Sequence, residues 1–183
     1  GIPIDIAVMT NVTHEHLDYH KTFERYRDAK RKLFKKARYG VINADDPSAK
    51  FFETDVKEYT TYGIKGGKLK AEKVKLMPDG VEYEIPSENL KIKTRIAGQF
   101  NVSNSLACVA VGKRLGLTDD EIADGIFALT EVEGRMVKID CGQSFTAIMD
   151  YAHTPDAFEK LLPDMKKATK GRLIVMFGSA GGR

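Results

Sequence analysis

Two short β-forming runs separated by a helical period constrain this chain more than anything else in it. Ile4-Asp5-Ile6-Ala7-Val8-Met9 reads as a buried strand, and Tyr39-Gly40-Val41-Ile42-Asn43 reads as a second, shorter one. Between them, over Thr22 to Arg38, the residues Tyr26, Ala29, Leu33, Phe34 and Ala37 recur at three- and four-residue spacing. That is the period of a helix with one apolar stripe. Strand, helix, strand is the grammar of a mostly parallel sheet flanked by helices, an α/β fold. Asp46-Pro47 then opens a further helix with proline in its first turn.

The middle of the chain changes character. Glu58 to Ile64, Leu69 to Met77, Val81 to Ile85 and Leu90 to Ala97 are β-rich segments parted by Lys65-Gly66-Gly67, Pro78-Asp79-Gly80 and Pro86-Ser87. Turn signals so closely spaced predict an antiparallel patch. Helices resume over Asn101 to Leu115 and over Asp119 to Leu129, the second opened by Thr118 with Glu121 three residues on, a capping box. Glu131 to Arg135 reads as a hinge between a first domain, 1–132, and a second, 133–183. Past the hinge the pattern predicts strands over Met136 to Asp140 and Phe145 to Met149, a helix opened by Thr154-Pro155-Asp156, and a parallel-type strand over Arg172 to Phe177. Gly178-Ser179-Ala180-Gly181-Gly182-Arg183 resembles the start of a glycine-rich loop feeding a helix at a phosphate site. A chain ending inside such a unit is expected to be part of a longer protein, with a Rossmann-like second domain only begun.

Composition excludes several classes. No apolar stretch approaches the roughly 20 residues a membrane helix needs, and no basic-then-apolar signal segment opens the chain, so a cytoplasmic protein without a membrane partner is expected. Net charge is only +3, from 29 basic and 26 acidic residues, which argues against a nucleic-acid footprint. The basic run Lys30-Arg31-Lys32 with Lys35-Lys36 falls mainly opposite the apolar stripe and reads as a solvated face. Cys108 and Cys141 have no CxxC spacing and apolar neighbours, which predicts buried, reduced thiols.

Three of the four histidines lie in Thr13-His14-Glu15-His16-Leu17-Asp18-Tyr19-His20, directly after the first strand. Imidazoles and carboxylates so placed suit a metal or phosphate centre. The HxHxDH signature of metallo-β-lactamase-type hydrolases puts His14, His16 and Asp18 in register but requires histidine where this chain has Tyr19. His14 and His20 also read as polar loop residues capping the helix that begins near Thr22. Asn101 and Asn104 lie three apart at a helix start, on one face, where their amides can donate to and accept from a purine edge. Helix capping is the plain alternative for Asn101, as a surface ion pair is for Arg135. Asp150 and His153 fall where a strand gives way to a helix, the ligand edge of an α/β sheet.

Four segments in one order carry a family resemblance. Thr10 to His20 followed by Tyr26-Arg27-Asp28-Ala29-Lys30, then Gly98-Gln99-Phe100-Asn101-Val102-Ser103-Asn104-Ser105-Leu106-Ala107, then Glu133-Gly134-Arg135-Met136, then Asp150-Tyr151-Ala152-His153-Thr154-Pro155-Asp156-Ala157 resemble the central and C-terminal domains of the Mur ligases. The Asp-Tyr-Ala-His-Thr-Pro-Asp string and Phe177 to Arg183 most resemble the MurE type. Such enzymes add amino acids to the UDP-N-acetylmuramoyl peptide of the bacterial cell wall, using ATP and magnesium. The resemblance implies a UDP-N-acetylmuramoyl-dipeptide and a diamino acid as substrates, an acyl-phosphate intermediate, a role in peptidoglycan synthesis and a monomeric state.

The same resemblance implies roles for single residues. His16 is a ligand of the second magnesium, and Lys30, carbamylated by CO2, helps hold the same ion; spacing alone would not suggest this, because hard Mg²⁺ ordinarily takes oxygen. Carbamylation turns an ammonium into an anion, and a desolvated lysine loses its proton more easily. Asn101 and Asn104 recognise adenine, Arg135 reaches the nucleotide from the hinge, and Asp150 and His153 lie near ribose and phosphates. Glu15 departs from the family's aspartate by one methylene. No GxxxxGK[ST] loop occurs in the sequence, so the phosphate loop, the first magnesium ligand and the UDP-sugar domain are expected before residue 1, and the segment that selects the incoming amino acid after residue 183. The chain by itself is then expected to be inactive. A folylpolyglutamate-synthetase-type ligase or a non-catalytic nucleotide- or metal-binding fragment are the other readings of the same segments.

Overall fold

Parallel strands cannot be joined by a tight turn, so the chain between two of them must cross over a face of the sheet. In the computed structural model, which describes residues 2–13, 17–77 and 79–178, the first two strands, β1 (Ile4–Met9) and β2 (Ala37–Asn43), pair in parallel with Ile6 opposite Tyr39 and Val8 opposite Val41. A single-turn helix α1 (Leu17–His20) and the longer α2 (Phe23–Phe34) make the crossing. A short helix α3 (Ala49–Glu53) leads from β2 to β3 (Glu58–Gly63), again parallel, and the two-residue β4 (Leu69–Lys70) completes a sheet of order β1-β2-β3-β4.

Helix α2 is shorter than its apolar period predicts. Thr22 caps it, its hydroxyl accepting from the Arg25 amide, but it stops at Phe34, and Ala37 and Arg38 belong to β2. Pairing of Ala37 with Ile4 takes those residues into the sheet ladder, which a helix would forfeit. Within the stripe Tyr26 and Phe34 are buried, whereas Leu33 is exposed. Arg31 also leaves the expected solvated face: its guanidinium grips Asp55 through Nε and through Nη2 at 2.9 Å, and Asp28 at 3.0 Å. Strand β1 lies at the sheet edge, so Ala7 and Met9 are buried while Val8 is partly exposed.

The antiparallel patch is smaller than the turn signals predict. It comprises β5 (Glu72–Met77), β6 (Gly80–Ile85) and β7 (Leu90–Thr94), with Leu76 opposite Val81 and Tyr83 opposite Ile92. Glu58–Gly63 belongs instead to the parallel sheet, and the Leu69 to Met77 run divides at Ala71 between the two sheets. The Asp45 carboxylate explains why the glycine-rich turn makes no hairpin. It accepts the amide hydrogens of Ile64 (2.6 Å), Lys65 (3.0 Å) and Gly66 (3.1 Å), drawing the chain aside from β3.

Helices α4 (Phe100–Arg114) and α5 (Asp119–Ala128) cover these sheets. The capping box forms as predicted: Glu121 N–H donates to Thr118 Oγ1 at 3.3 Å, and Thr118 N–H donates to the Glu121 carboxylate at 2.8 Å. The main core joins Val41 and Tyr62 of the parallel sheet, Val81, Tyr83 and Ile92 of the antiparallel one, and Val102, Leu106 and Val109 of α4. A second cluster beneath α2 and α3 contains Ala7, Met9, Phe34, Ile42, Phe52 and Val56.

After the bend at 131–136 come an antiparallel pair, β8 (Val137–Ile139) and β9 (Ala147–Met149), and helix α6 (Pro155–Ala168), capped by Thr154 as predicted. The strand expected over Arg172 to Phe177 is not formed. A strand needs a ladder partner, and none lies beside this segment among the described residues. Cys108 and Cys141 are free but exposed, one on the outer side of α4 and the other in the β8–β9 connection. Among the described residues, no helix is long and apolar enough to cross a membrane.

Candidate functional site

The carboxyl ends of β1, β2 and β3 meet in a polar network, where ligands of open α/β sheets are held. Asn43, closing β2, donates through Nδ2 to the Thr10 carbonyl at 2.7 Å and accepts from the Asp45 amide at 3.0 Å. Asp46 accepts from the Val12 amide at 2.8 Å and from the Ser48 amide at 2.7 Å. The buried Tyr62 hydroxyl donates to the Met9 carbonyl at 3.2 Å, and burial pushes its phenol far above the ordinary range, so it stays a donor. Three side chains, Asn43, Asp46 and Tyr62, thus fix residues 9–12, the stem of the histidine-rich segment. Sequence reading missed them; the signal was Asn-Ala-Asp-Asp directly after a strand, a cluster of short polar side chains suited to binding nearby backbone.

His14, Glu15 and His16 lie outside the described residues. His20 closes α1; its ring is tilted against that of Tyr26 at 5.3 Å between centroids, while capping of α2 falls to Thr22 rather than to His20. Lys30, one turn beyond Tyr26, is exposed, and its Nζ lies 4.9 Å from the Tyr26 ring centroid. As an ammonium it sits on the ring's negative face. Among the described residues no three histidine, cysteine or carboxylate side chains gather as a metal-binding group.

The second group stands at the start of α4. No side chain caps this helix at Gln99, and Gly98 takes φ +105°, a conformation that L side chains rarely adopt. Asn101 instead donates back to the Ala97 carbonyl at 2.7 Å, and its Oδ1 accepts from Asn104 Nδ2 at 3.1 Å. The two asparagines therefore do share a face, with Asn101 half-buried and Asn104 exposed.

A third group forms around Tyr151. Arg135 holds its guanidinium 5.3 Å from the Tyr151 ring centroid, and the His153 ring meets the same tyrosine edge-on at 4.8 Å. His153 Nδ1 lies 2.8 Å from the Tyr151 carbonyl. The Asp150 carboxylate accepts from the amides of Met136 (2.9 Å) and Ala152 (2.8 Å), tying the hinge to the residues before α6. Tyr151, around which the group assembles, lay inside the recognised string without a role of its own.

Residues 1–112 match the Mur ligase middle domain, and residues 134–183 match the Mur ligase glutamate ligase domain. The chain belongs to the Mur ligase family. Over 189 aligned positions it is 39% identical to a UDP-N-acetylmuramoyl-L-alanyl-D-glutamate--2,6-diaminopimelate ligase of Clostridium acetobutylicum, covering all of this chain and 39% of that protein. A UDP-N-acetylmuramyl-tripeptide synthetase of Roseiflexus is 38% identical, with 40% of its length covered. A solved UDP-N-acetylmuramoyl-L-alanyl-D-glutamate--2,6-diaminopimelate ligase superposes with a TM-score of 0.75 at 28% identity, over 91% of this chain and 36% of that one. The chain thus spans about 40% of the length of the curated relatives it matches. In Mur ligase terms, Lys30 and the asparagine pair fall in the middle-domain match, and Arg135, Asp150 and His153 in the glutamate-ligase-domain match.

Proposed function

We propose that this chain is the middle-domain and C-terminal-domain portion, divided near 132/133, of an ATP-dependent ligase that adds a diamino acid to UDP-N-acetylmuramoyl-dipeptide in peptidoglycan synthesis. The observation that carries the proposal is identity of 39% along the whole chain to a protein named as a diaminopimelate-adding ligase. In the proposed reaction a substrate carboxylate oxygen attacks the γ-phosphorus of ATP and ADP leaves. The amine of the diamino acid then attacks the acyl phosphate, and phosphate departs from the tetrahedral intermediate as the nitrogen loses its proton. Such chemistry calls for positioning and charge neutralisation above all.

The described residues have separable tasks in this scheme. Asn101 and Asn104 take the adenine: an amide can donate to N7 and accept from the 6-amino group together. Arg135 brings a cation to the nucleotide from the bend between the domains, and Asp150 and His153 hold the neighbouring loop at the ribose and phosphates. Lys30 belongs with His16 at a magnesium ion; as a carbamate it supplies oxygen, the donor Mg²⁺ prefers, whereas the ammonium against Tyr26 supplies none. The described donors do not make a magnesium site by themselves, so the metal's part is only the general one of drawing charge from the phosphates. The proposed protein acts as a cytoplasmic monomer.

The test is ADP release by the intact ligase containing this segment, measured with each substrate omitted in turn. Release that depends jointly on ATP, UDP-N-acetylmuramoyl-dipeptide and a diamino acid is expected; release indifferent to the diamino acid overturns the proposal. Lys30→Ala is expected to lower ligation by about a hundredfold or more, the scale of one lost electrostatic contact to the reacting groups. Native mass of the protein with and without bicarbonate should differ by one CO2, and only when Lys30 is present. Unchanged ligation by Lys30→Ala removes the carbamate from the scheme.

A further inference from the structure

We propose that Tyr83 and Ser105 are positioning residues for nucleotide recognition, acting through Asn101 to set the base-reading amide of Asn104. The inference rests on the assignment of the asparagine pair to adenine and adds to it two buried hydroxyls that touch no ligand. Tyr83, in the middle of β6, is 1% exposed, and Ser105, on the inner side of α4, is 6% exposed. Their oxygens lie 2.8 Å apart.

Proton counting fixes the direction of this contact. Ser105 Oγ is 2.7 Å from the Asn101 carbonyl and 3.1 Å from the Val102 carbonyl. Both of those atoms only accept, so the single serine hydrogen is spent on them and Tyr83 must donate to Ser105. Burial raises the Tyr83 phenol well above its ordinary range, with the Ser105 bond opposing more weakly, so the proton remains available. A relay therefore runs from the antiparallel sheet to the main chain of Asn101.

Asn101 carries the relay onward. Its Nδ2 is held by Ala97 and its Oδ1 by Asn104, which leaves Asn104 with an amide oxygen and one N–H that bond no described residue. Those two groups are what an adenine edge requires. With no side-chain cap at Gln99, the bonds at Asn101 and Ser105 act together with the buried Val102 and Leu106 on the first turns of α4. A serine bonding back to the i−4 carbonyl also bends a helix slightly, so the tyrosine–serine contact governs where Asn104 points.

The experiment compares ATP with inosine triphosphate, which lacks the 6-amino group, in the intact ligase. Tyr83→Phe and Ser105→Ala are each expected to reduce the ATP-over-inosine-triphosphate ratio of kcat/KM by about fivefold, the worth of one net hydrogen bond. The change should fall on KM for ATP, with kcat and KM for the dipeptide substrate within about twofold. Ile92→Val, which trims the core opposite Tyr83 without touching a hydroxyl, should lower the melting temperature and leave the ratio alone. A ratio lost in Asn104→Ala but kept in Tyr83→Phe and Ser105→Ala overturns the positioning role alone, as does an equal loss in Ile92→Val. A ratio kept even in Asn104→Ala removes the adenine assignment and the relay with it.

Discussion

Single carboxylates do much of the local organising in this chain. Asp45 takes three successive amide hydrogens at the end of β3, and replacing it with alanine would leave those donors to water or unpaired. A loss of about 2 kcal/mol, read as a lower urea midpoint at constant slope, is expected for Asp45→Ala. Glu121 offers a pH test. Hydrogen bonds from the Thr118 backbone, and secondarily from its hydroxyl, hold the Glu121 carboxyl below its ordinary 4.5. The folded state therefore binds this proton more weakly than the unfolded state. The resulting stability is present above about pH 4.5 and is lost as pH falls through the lowered folded value. Glu121→Gln should accordingly show a smaller drop in urea midpoint between about pH 6 and about pH 3 than the parent does, and an unchanged drop would remove the capping box from acid sensitivity. Thr118→Ala, which removes the cap itself, should cost about 1 kcal/mol at neutral pH.

At the level of elements, what was legible in the sequence was what depends on local chemistry. The strand–helix–strand opening, the Thr118 and Thr154 caps and the two helices over the core follow from period and capping residues a few positions apart. What was hidden depends on partners distant in sequence. Whether the turn after Glu58–Gly63 closes a hairpin is decided by Asp45, which holds the amides of residues 64–66, and whether Arg172 to Phe177 is a strand at all is decided by a neighbour that the described residues do not supply. The candidate site divides in the same way. Its asparagine pair could be read from spacing, but the Tyr83 hydroxyl that meets Ser105 behind it comes from the antiparallel sheet, distant in sequence, and carries no local signal. Gly80 shows how tightly the antiparallel sheet is closed. A Cβ there would stand 2.0 Å from the Thr94 carbonyl oxygen, a backbone atom that no rotamer change can remove. Gly80→Ala should therefore cost about 2 to 3 kcal/mol, toward the upper end for an overpacked site, and loosen β6 against β7. Faster amide exchange in β6 and β7 than in β2 and β3 is the expected signature.

Burial is distributed unevenly over the whole molecule. The buried apolar side chains run from Ala7 to Ile122, and beyond Ile122 no described residue is buried. Past the bend, large apolar side chains face outward, with Phe145 69%, Met176 97% and Phe177 76% exposed. Folding free energy scales with apolar area removed from water, so the first part of the chain should carry nearly all of it. Truncation after Glu133 is expected to leave a cooperative thermal transition, with its midpoint within about 3 °C of the parent, a difference of less than about 1 kcal/mol at this size. Limited proteolysis of the parent should cut first between Leu129 and Met136, where the chain bends, leaving a resistant N-terminal product. A fall of about 10 °C on truncation, or loss of the cooperative transition, would mean that residues 134–183 contribute to the core after all. Neither form should ligate. No GxxxxGK[ST] loop, the usual cradle for the transferred phosphoryl group, occurs in the sequence, and the proposed base-reading role of the asparagine pair would not by itself hold the phosphates in line for attack. Measurable ADP release by the 183-residue chain would therefore require a phosphate-binding arrangement of a different kind within these residues.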